Sequence, residues 1–295
     1  MTTDLAQRLL DRFGSDGLHR PDPAALAATA VPAGAAALLS GAGLPLRVGP
    51  YFTADPGRPL RLADWARTAG LSTDGRPEAD WARLGSDRGA ELCVDGEGRV
   101  RAVYLAFRGP SVPVDATLGA FLDNLGTLEE NLRALAGAER PDEVFRLFSA
   151  AEGRMRGTDL RAFESDEQWW PRVLEDVRHT RGVPGSAAFT LRGPDGEPRV
   201  VTAHGSLARH AEEALWERLA ASGVDPRDVV EVYTELQSCV LPGHYCALWM
   251  ARTFPNAEFT HSHDYGDTAA EREAGVRELA AALAGGPGPQ PSTGR

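Results

Sequence analysis

The chain has 295 residues and a formal net charge of −11, from 42 acidic residues and 31 basic residues that are all Arg. Its last part, residues 182–295, carries 9 Arg against 15 acidic residues. Because phosphate neutralisation dominates the affinity for long nucleic acids, this balance disfavours processive nucleic-acid binding and favours a free nucleotide or nucleoside, with both substrates left open.

The length allows two domains, since about 100 to 200 residues per domain is usual. A cluster of Gly and Pro at 181–185 (RGVPG) separates a helical stretch from a predicted strand pair. We therefore predict one domain over residues 1–181 and a second over residues 182–292. The Gly- and Pro-rich tail at 285–295 is predicted to be disordered.

No segment predicts membrane insertion. The Ala-rich run at 24–39 is interrupted by Pro32 and is too short to span a bilayer. The first residues lack the basic region and apolar core of a secretion signal. We expect a cytoplasmic protein.

In the first domain, strands at 90–93 and 100–107 flank the hairpin signal Asp95-Gly96-Glu97-Gly98. Amphipathic helices are predicted at 116–136 and 140–150. These elements indicate a packed α+β domain. Cys93 is interpreted as a small buried side chain, and nothing in residues 1–180 resembles a catalytic cluster.

The second domain is predicted to alternate strands and helices, which indicates an α/β fold with a mixed sheet flanked by helices. Ser206 is a plausible N-cap for the first helix. The predicted strands are 187–192 and 199–203, joined by a turn at 193–196, then 229–234 and 257–265; the predicted helices are 206–222, 243–253 and 268–284.

Four residues of this domain form an ordered set that suits metal chemistry. His210 and Glu212 are followed by Cys239 and Cys246. One imidazole and two thiolates are good ligands for tetrahedral zinc, and they leave a fourth position for the water that catalysis needs. Glu212 is then available to move protons. Residues two apart on a helix diverge, so this arrangement requires the metal to lie near the helix entrance.

Other interpretations of the same residues remain open. A single His is usually a surface or hydrogen-bonded residue, and two Cys can be buried thiols or a disulfide. His244, between the two Cys, either replaces a thiol as ligand or lies near the pocket. His261 and His263 share one strand face and are interpreted as pocket lining or surface rather than a second metal site. These three His are the weak candidates for substrate binding.

The order His-x-Glu, Cys, Cys resembles the signature of the zinc-dependent base and nucleoside deaminases. The chain departs from the common Pro-Cys-x-x-Cys form, because Ser238 precedes the first Cys and six residues separate the thiols. A turn at Pro242-Gly243, as in some deaminase-like toxin families, would bring the thiols together. The resemblance implies a cytidine-deaminase-like fold and Zn²⁺ as cofactor. It also implies Glu212 as general acid/base in attack at C4 of cytosine or C6 of adenine.

The first domain resembles the SUKH superfamily, specifically its fourth immunity-protein family. The resemblance is carried by residues 41–52 (GAGLPLRVGPYF), 84–108, 114–125 and the helix containing Trp169-Trp170. It implies a protein-binding module of the kind that neutralises polymorphic toxins.

The sequence thus predicts a zinc-dependent hydrolytic deaminase of a nucleobase, in a nucleotide or nucleic acid. It is joined to an immunity-type domain, residues 1–181, that binds a toxin or immunity partner in a bacterial toxin/immunity system. The alternative is a non-catalytic immunity protein that binds a toxin and has a degenerate deaminase scaffold.

Overall fold

The computed structural model describes residues 2–106, 109–193 and 197–285, which form two compact units. The first unit contains Met1–Glu175 and Pro242–His244, and the second begins at Asp176. The end of the predicted strand at Phe107, the turn residues 194–196 and the predicted tail from residue 286 lie outside the described residues. The predicted domain borders 1–181 and 182–292 stay predictions.

The helices run as follows: α1 Thr2–Phe13, α2 Pro23–Leu26, α3 Ala33–Ala42, α4 Leu62–Thr68, α5 Leu118–Gly137, α6 Pro141–Thr158, α7 Trp169–Gly182, α8 Ala211–Ala221, α9 Cys246–Thr253 and α10 Ala269–Gly285. Short 3₁₀ turns lie at Pro77–Asp80, Leu160–Phe163 and Pro226–Asp228. Among the described helices, none combines the length and apolar character needed to span a bilayer.

The strands run as follows: β1 Leu18–His19, β2 Leu44–Pro45, β3 Arg47–Val48, β4 Phe52–Thr53, β5 Ala82–Ser86, β6 Glu91–Val94, β7 Val100–Val103, β8 Val112–Asp115, β9 Ser186–Arg192, β10 Pro198–His204, β11 Val229–Leu236 and β12 Glu258–His263.

The first unit is built on a six-stranded sheet in which β3 to β8 follow one another in chain order, all antiparallel. The predicted hairpin is confirmed, because β6 pairs with β7 from Val94 opposite Val100. Asp95 closes its turn by accepting the N–H groups of Glu97 and Arg99. Cys93 is fully buried, and burial raises the pKa of its thiol, as expected for a core side chain.

Two adjacent tryptophans fix the start of α7 in the core of the first unit. The Trp169 indole N–H donates to the Asp87 carboxylate at 2.7 Å, and the Trp170 N–H donates to that of Asp115 at 2.6 Å. Both indoles are buried, so these acceptors satisfy donors that would otherwise be costly to bury. Phe121 of α5 packs beside both rings.

The second unit contains a four-stranded sheet of order β10-β9-β11-β12. β9 is antiparallel to both of its neighbours, while β11 and β12 are parallel, so the sheet is mixed as predicted. Helix α8 packs on β9 and β10, and α10 packs on β11 and β12. The core between sheet and helices includes Phe189, Leu215, Val232, Met250 and Phe254. The protein is thus an α+β unit followed by an α/β unit with a mixed sheet.

Two helices begin later than their sequence patterns predict. Ser206 is not an N-cap, because α8 begins at Ala211. The predicted helix at 243–253 begins at Cys246, after a segment in which Gly243 has φ +84°. Both late starts occur next to predicted ligands.

Candidate metal centre and active site

His210 lies immediately before α8 rather than on it, with an extended backbone (φ −74°, ψ 152°). A tight turn precedes it, in which Ser206 and Arg209 exchange backbone hydrogen bonds of 2.8 and 2.9 Å and Ala208 has φ +53°. The Glu213 carboxylate accepts the His210 backbone N–H at 3.2 Å. The imidazole therefore projects from the helix entrance, where the sequence argument required it.

The two cysteines are brought together where the chain leaves the sheet. Cys239 follows the end of β11, and Cys246 is the first residue of α9. The Ala247 N–H donates to the Cys239 carbonyl at 3.0 Å, and the Tyr245 N–H donates to the Leu241 carbonyl at 3.1 Å. Tyr245 takes a left-handed conformation (φ 47°), which reverses the chain direction before the helix. The six intervening residues therefore do not separate the two thiols.

The imidazole and the two sulfurs converge. His210 Nδ1 lies 3.6 Å from Cys239 Sγ and 3.4 Å from Cys246 Sγ, and the three atoms all lie within 4.8 Å of one another. Tetrahedral zinc with ordinary Zn–S and Zn–N bonds would set each N···S separation at about 3.6 Å. Both thiols are buried. The chemistry and spacing of these donors therefore fit Zn²⁺.

Glu212 lies beside these donors in the first turn of α8. Its side chain is buried, and its Oε1 atom is 3.9 Å from His210 Nδ1. Burial raises the pKa of the Glu212 carboxyl, against the attraction of His210. A carboxyl whose pKa is raised toward neutrality is suited to accept and return a proton.

The electrostatics around the donors favour protonation in the absence of a cation. Burial lowers the pKa of His210, but the attraction of Cys239 and Asp176 outweighs burial, so that pKa stands well above its usual value. Burial also raises the pKa of Cys246 well above its usual value. Since metal ligands must be deprotonated, a bound cation would displace protons here.

A cleft opens at His210, Glu212 and Cys239. Its lining also includes Asp176, His179, Thr180 and Tyr265, which were not identified from the sequence as site residues. Asp176 Oδ1 is 2.8 Å from His210 Nε2, and His179 Nδ1 is 2.8 Å from the Tyr265 hydroxyl. The three α7 residues lie 31 or more positions before the first residue of α8, so no local motif connects them to the ligands. The complete lining is Asp176, His179, Thr180, Pro184, Gly185, Ser186, His210, Ala211, Glu212, Thr234, Leu236, Gln237, Cys239 and Tyr265.

The three weak candidates do not line this cleft. His244 is grouped with the first unit, where its ring lies 5.8 Å from that of Tyr51. His261 is exposed and is 3.0 Å from Asp264, whereas half-buried His263 is 3.8 Å from Glu278.

The fold and the cleft define a two-part protein, with an α+β unit followed by a mixed-sheet unit that carries the convergent donors. Residues 182–282 match the Xanthomonas-like deaminase family. Residues 5–176, more than half of the chain, match the SUKH-4 immunity protein family, and the chain belongs to that family. No curated protein and no solved structure matches it. The chain is thus an immunity-type domain fused to a deaminase-like domain.

Proposed function

We propose that the second unit is a zinc-dependent hydrolytic deaminase of cytosine or adenine, in a nucleotide or nucleic acid. The convergence of His210, Cys239 and Cys246, with Glu212 beside them, carries this proposal. The deaminase family match supports it independently of the geometry.

Each of these residues has a defined task in the reaction. His210, Cys239 and Cys246 would hold the ion, and a bound zinc ion would supply Lewis-acid activation of water. Glu212 would accept a proton from the attacking water and deliver it to the exocyclic amine. The water oxygen bonds to the ring carbon, the carbon–nitrogen bond breaks, and ammonia leaves.

We assign to the first unit the binding of a protein partner. Its membership of an immunity-protein family supports binding of a toxin or immunity protein through residues 1–181, within a bacterial toxin/immunity system. We place the protein in the cytoplasm, because Cys93, Cys239 and Cys246 form no disulfide in the described part of the chain, and a reducing compartment keeps cysteines in that state.

The test combines metal content with catalysis in the full chain. Purified wild-type protein is expected to contain one zinc per chain and to release ammonia from one member of a panel of free and polymeric cytosine and adenine substrates. Glu212→Gln should retain zinc while its kcat falls by about 10²-fold or more, because proton transfer is lost. Glu258→Gln, at an exposed strand position, is the matched control and should keep full activity.

A Glu212→Gln variant that contains zinc and deaminates at the wild-type rate would eliminate the assigned role. Absence of stoichiometric zinc from the wild-type chain would rule out zinc binding by His210, Cys239 and Cys246.

The second candidate is a non-catalytic immunity protein with a degenerate deaminase scaffold. It is favoured by the immunity family match over more than half of the chain, and by the departure at Ser238 and the lengthened Cys spacing. Binding of a toxin by a chain that is inert on the whole panel would establish this alternative.

A further inference from the structure

The last turns of α7 contribute one wall of the cleft. Asp176, His179 and Thr180 all line it, and their spacing of three and four positions places them on one face of the helix. This segment lies before the deaminase family match, which begins at residue 182. The division between the two compact units also falls before Asp176, which groups all three side chains with the second unit.

Asp176 contacts the imidazole on the side opposite the sulfurs. Its Oδ1 atom is 2.8 Å from His210 Nε2, while His210 Nδ1 faces Cys239 and Cys246. Only 1% of the Asp176 surface is exposed. With Nε2 donating to a carboxylate, Nδ1 of the neutral ring is left with the lone pair that a metal bond requires.

Thr180 supports the same imidazole through the backbone. Its hydroxyl accepts the Ala208 N–H at 3.0 Å and donates to the Asp176 carbonyl at 2.8 Å. Ala208 has φ +53° in the turn that precedes His210, so this contact holds a conformation that is unfavourable for a residue with a Cβ. α7 thus fixes both the ring and the backbone that carries it.

We propose that Asp176 is a positioning residue that orients His210 for metal binding, and that the functional deaminase unit therefore begins within α7 rather than at residue 182. The proposal rests on the proposed zinc site. Carboxylates that accept a hydrogen bond from a metal-ligating His fix its tautomer and raise its basicity, and their loss typically costs about 10- to 100-fold in metal affinity. A purely structural ion pair would instead lower stability without changing metal affinity.

The test measures zinc affinity of the full chain by competition with a chromophoric chelator. Asp176→Ala is expected to weaken zinc binding by about 10- to 100-fold. Asp176→Asn keeps an acceptor but not the charge, and should fall between Asp176→Ala and wild type. The absorption spectrum of the Co²⁺-loaded protein provides a second readout, since a reoriented imidazole changes the ligand field.

The matched control is Asp115→Asn, another buried carboxylate that accepts hydrogen bonds in the first unit. It should lower the unfolding midpoint and leave zinc affinity unchanged. If Asp176→Ala does not fold, the isosteric Asp176→Asn variant carries the test.

The inference would be overturned if both Asp176 variants had the zinc affinity and the Co²⁺ spectrum of wild type. A wild-type chain that binds no zinc would overturn it together with the proposed function. A wild-type chain that binds zinc but deaminates nothing would refute only the deaminase activity, and weaker zinc binding by the Asp176 variants would still support the positioning role.

Discussion

Gly275 shows how a single residue fixes the packing of the second unit. It is buried within α10, where a Cβ would lie 2.1 Å from the carbonyl oxygen of Asp264 and 3.4 Å from Leu236. The nearer atom belongs to the backbone, so rotation of a side chain does not relieve the overlap. The helix approaches the segment after β12 this closely because residue 275 has no side chain.

We expect Gly275→Ala to destabilise the protein by about 1–3 kcal/mol, the usual cost of overpacking, although Ala is the better helix former. Gly153→Ala is the control, since Gly153 is exposed in α6 and its Cβ would meet nothing within 4 Å. That change should stabilise by about 0.5–1 kcal/mol. Urea unfolding of both variants measures the difference, and a Gly275→Ala variant as stable as wild type would contradict the packing argument.

Among the elements, α7 and α10 are connected by a charged cluster in the second unit. Glu273 of α10 is 2.7 Å from an Arg178 guanidinium nitrogen and 3.4 Å from His179 Nε2. The hydrogen bond from Arg178 is the main cause that lowers the pKa of Glu273, and burial opposes it. Because 34% of the Glu273 side chain is exposed, solvent screens this attraction.

Glu273→Gln should lower the free energy of unfolding by at most about 1 kcal/mol at pH 7. The folded-state pKa lies below the unfolded one, so this stabilisation is present above the unfolded pKa, about 4.3, and is lost as the pH falls through the folded value. Urea titrations should therefore show that the difference in free energy of unfolding between Glu273→Gln and wild type is smaller in the acid range than at pH 7. A difference that stays constant with pH would exclude the ionisation of Glu273 as its source. The control Glu258→Gln should have the same free energy of unfolding as wild type.

The sequence predicted the strands of the second unit well, because branched and aromatic residues mark them. The predicted strand 229–234 is two residues longer in the structure, where β11 ends at Leu236. The predicted strand 199–203 corresponds to β10, which is one residue longer at each end. Helix ends were harder. α6 was expected to stop near residue 150, yet it continues through Gly153 and Gly157 to Thr158, because Ala151 and Met155 are buried.

The candidate ligands were accessible from sequence because their order and chemistry are distinctive. The residues that position these ligands were not predicted from the sequence. Asp176 lies 34 positions before His210, in the Trp169-Trp170 helix that the sequence associated only with the immunity-type domain. The start at Ser206 was predicted wrongly because Ser is a good N-cap, whereas the Ser206–Arg209 turn and the Glu213 contact delay the helix to Ala211. A contact between distant segments decides the first outcome, and contacts within residues 206–213 decide the second.

At the scale of the molecule, zinc is expected to stabilise the second unit. A ligand that binds only the folded state adds about 2.7 kcal/mol at 100 times its Kd. Thermal unfolding of the full chain should therefore show a higher midpoint with zinc than with a chelator. Cys239→Ser, which weakens the ligand set, should reduce the difference, and an identical midpoint in zinc and chelator for wild type would contradict a folded-state site.

The three donor atoms come from the entrance of α8, the segment after β11 and the first residue of α9. A coordinated ion would consequently act as a removable cross-link that closes two chain loops, one between positions 29 apart and one between positions seven apart. Closing the longer loop removes more conformational entropy from the unfolded chain, so it is expected to contribute more to stability. The resistance of this unit to proteolysis would then increase with the concentration of metal.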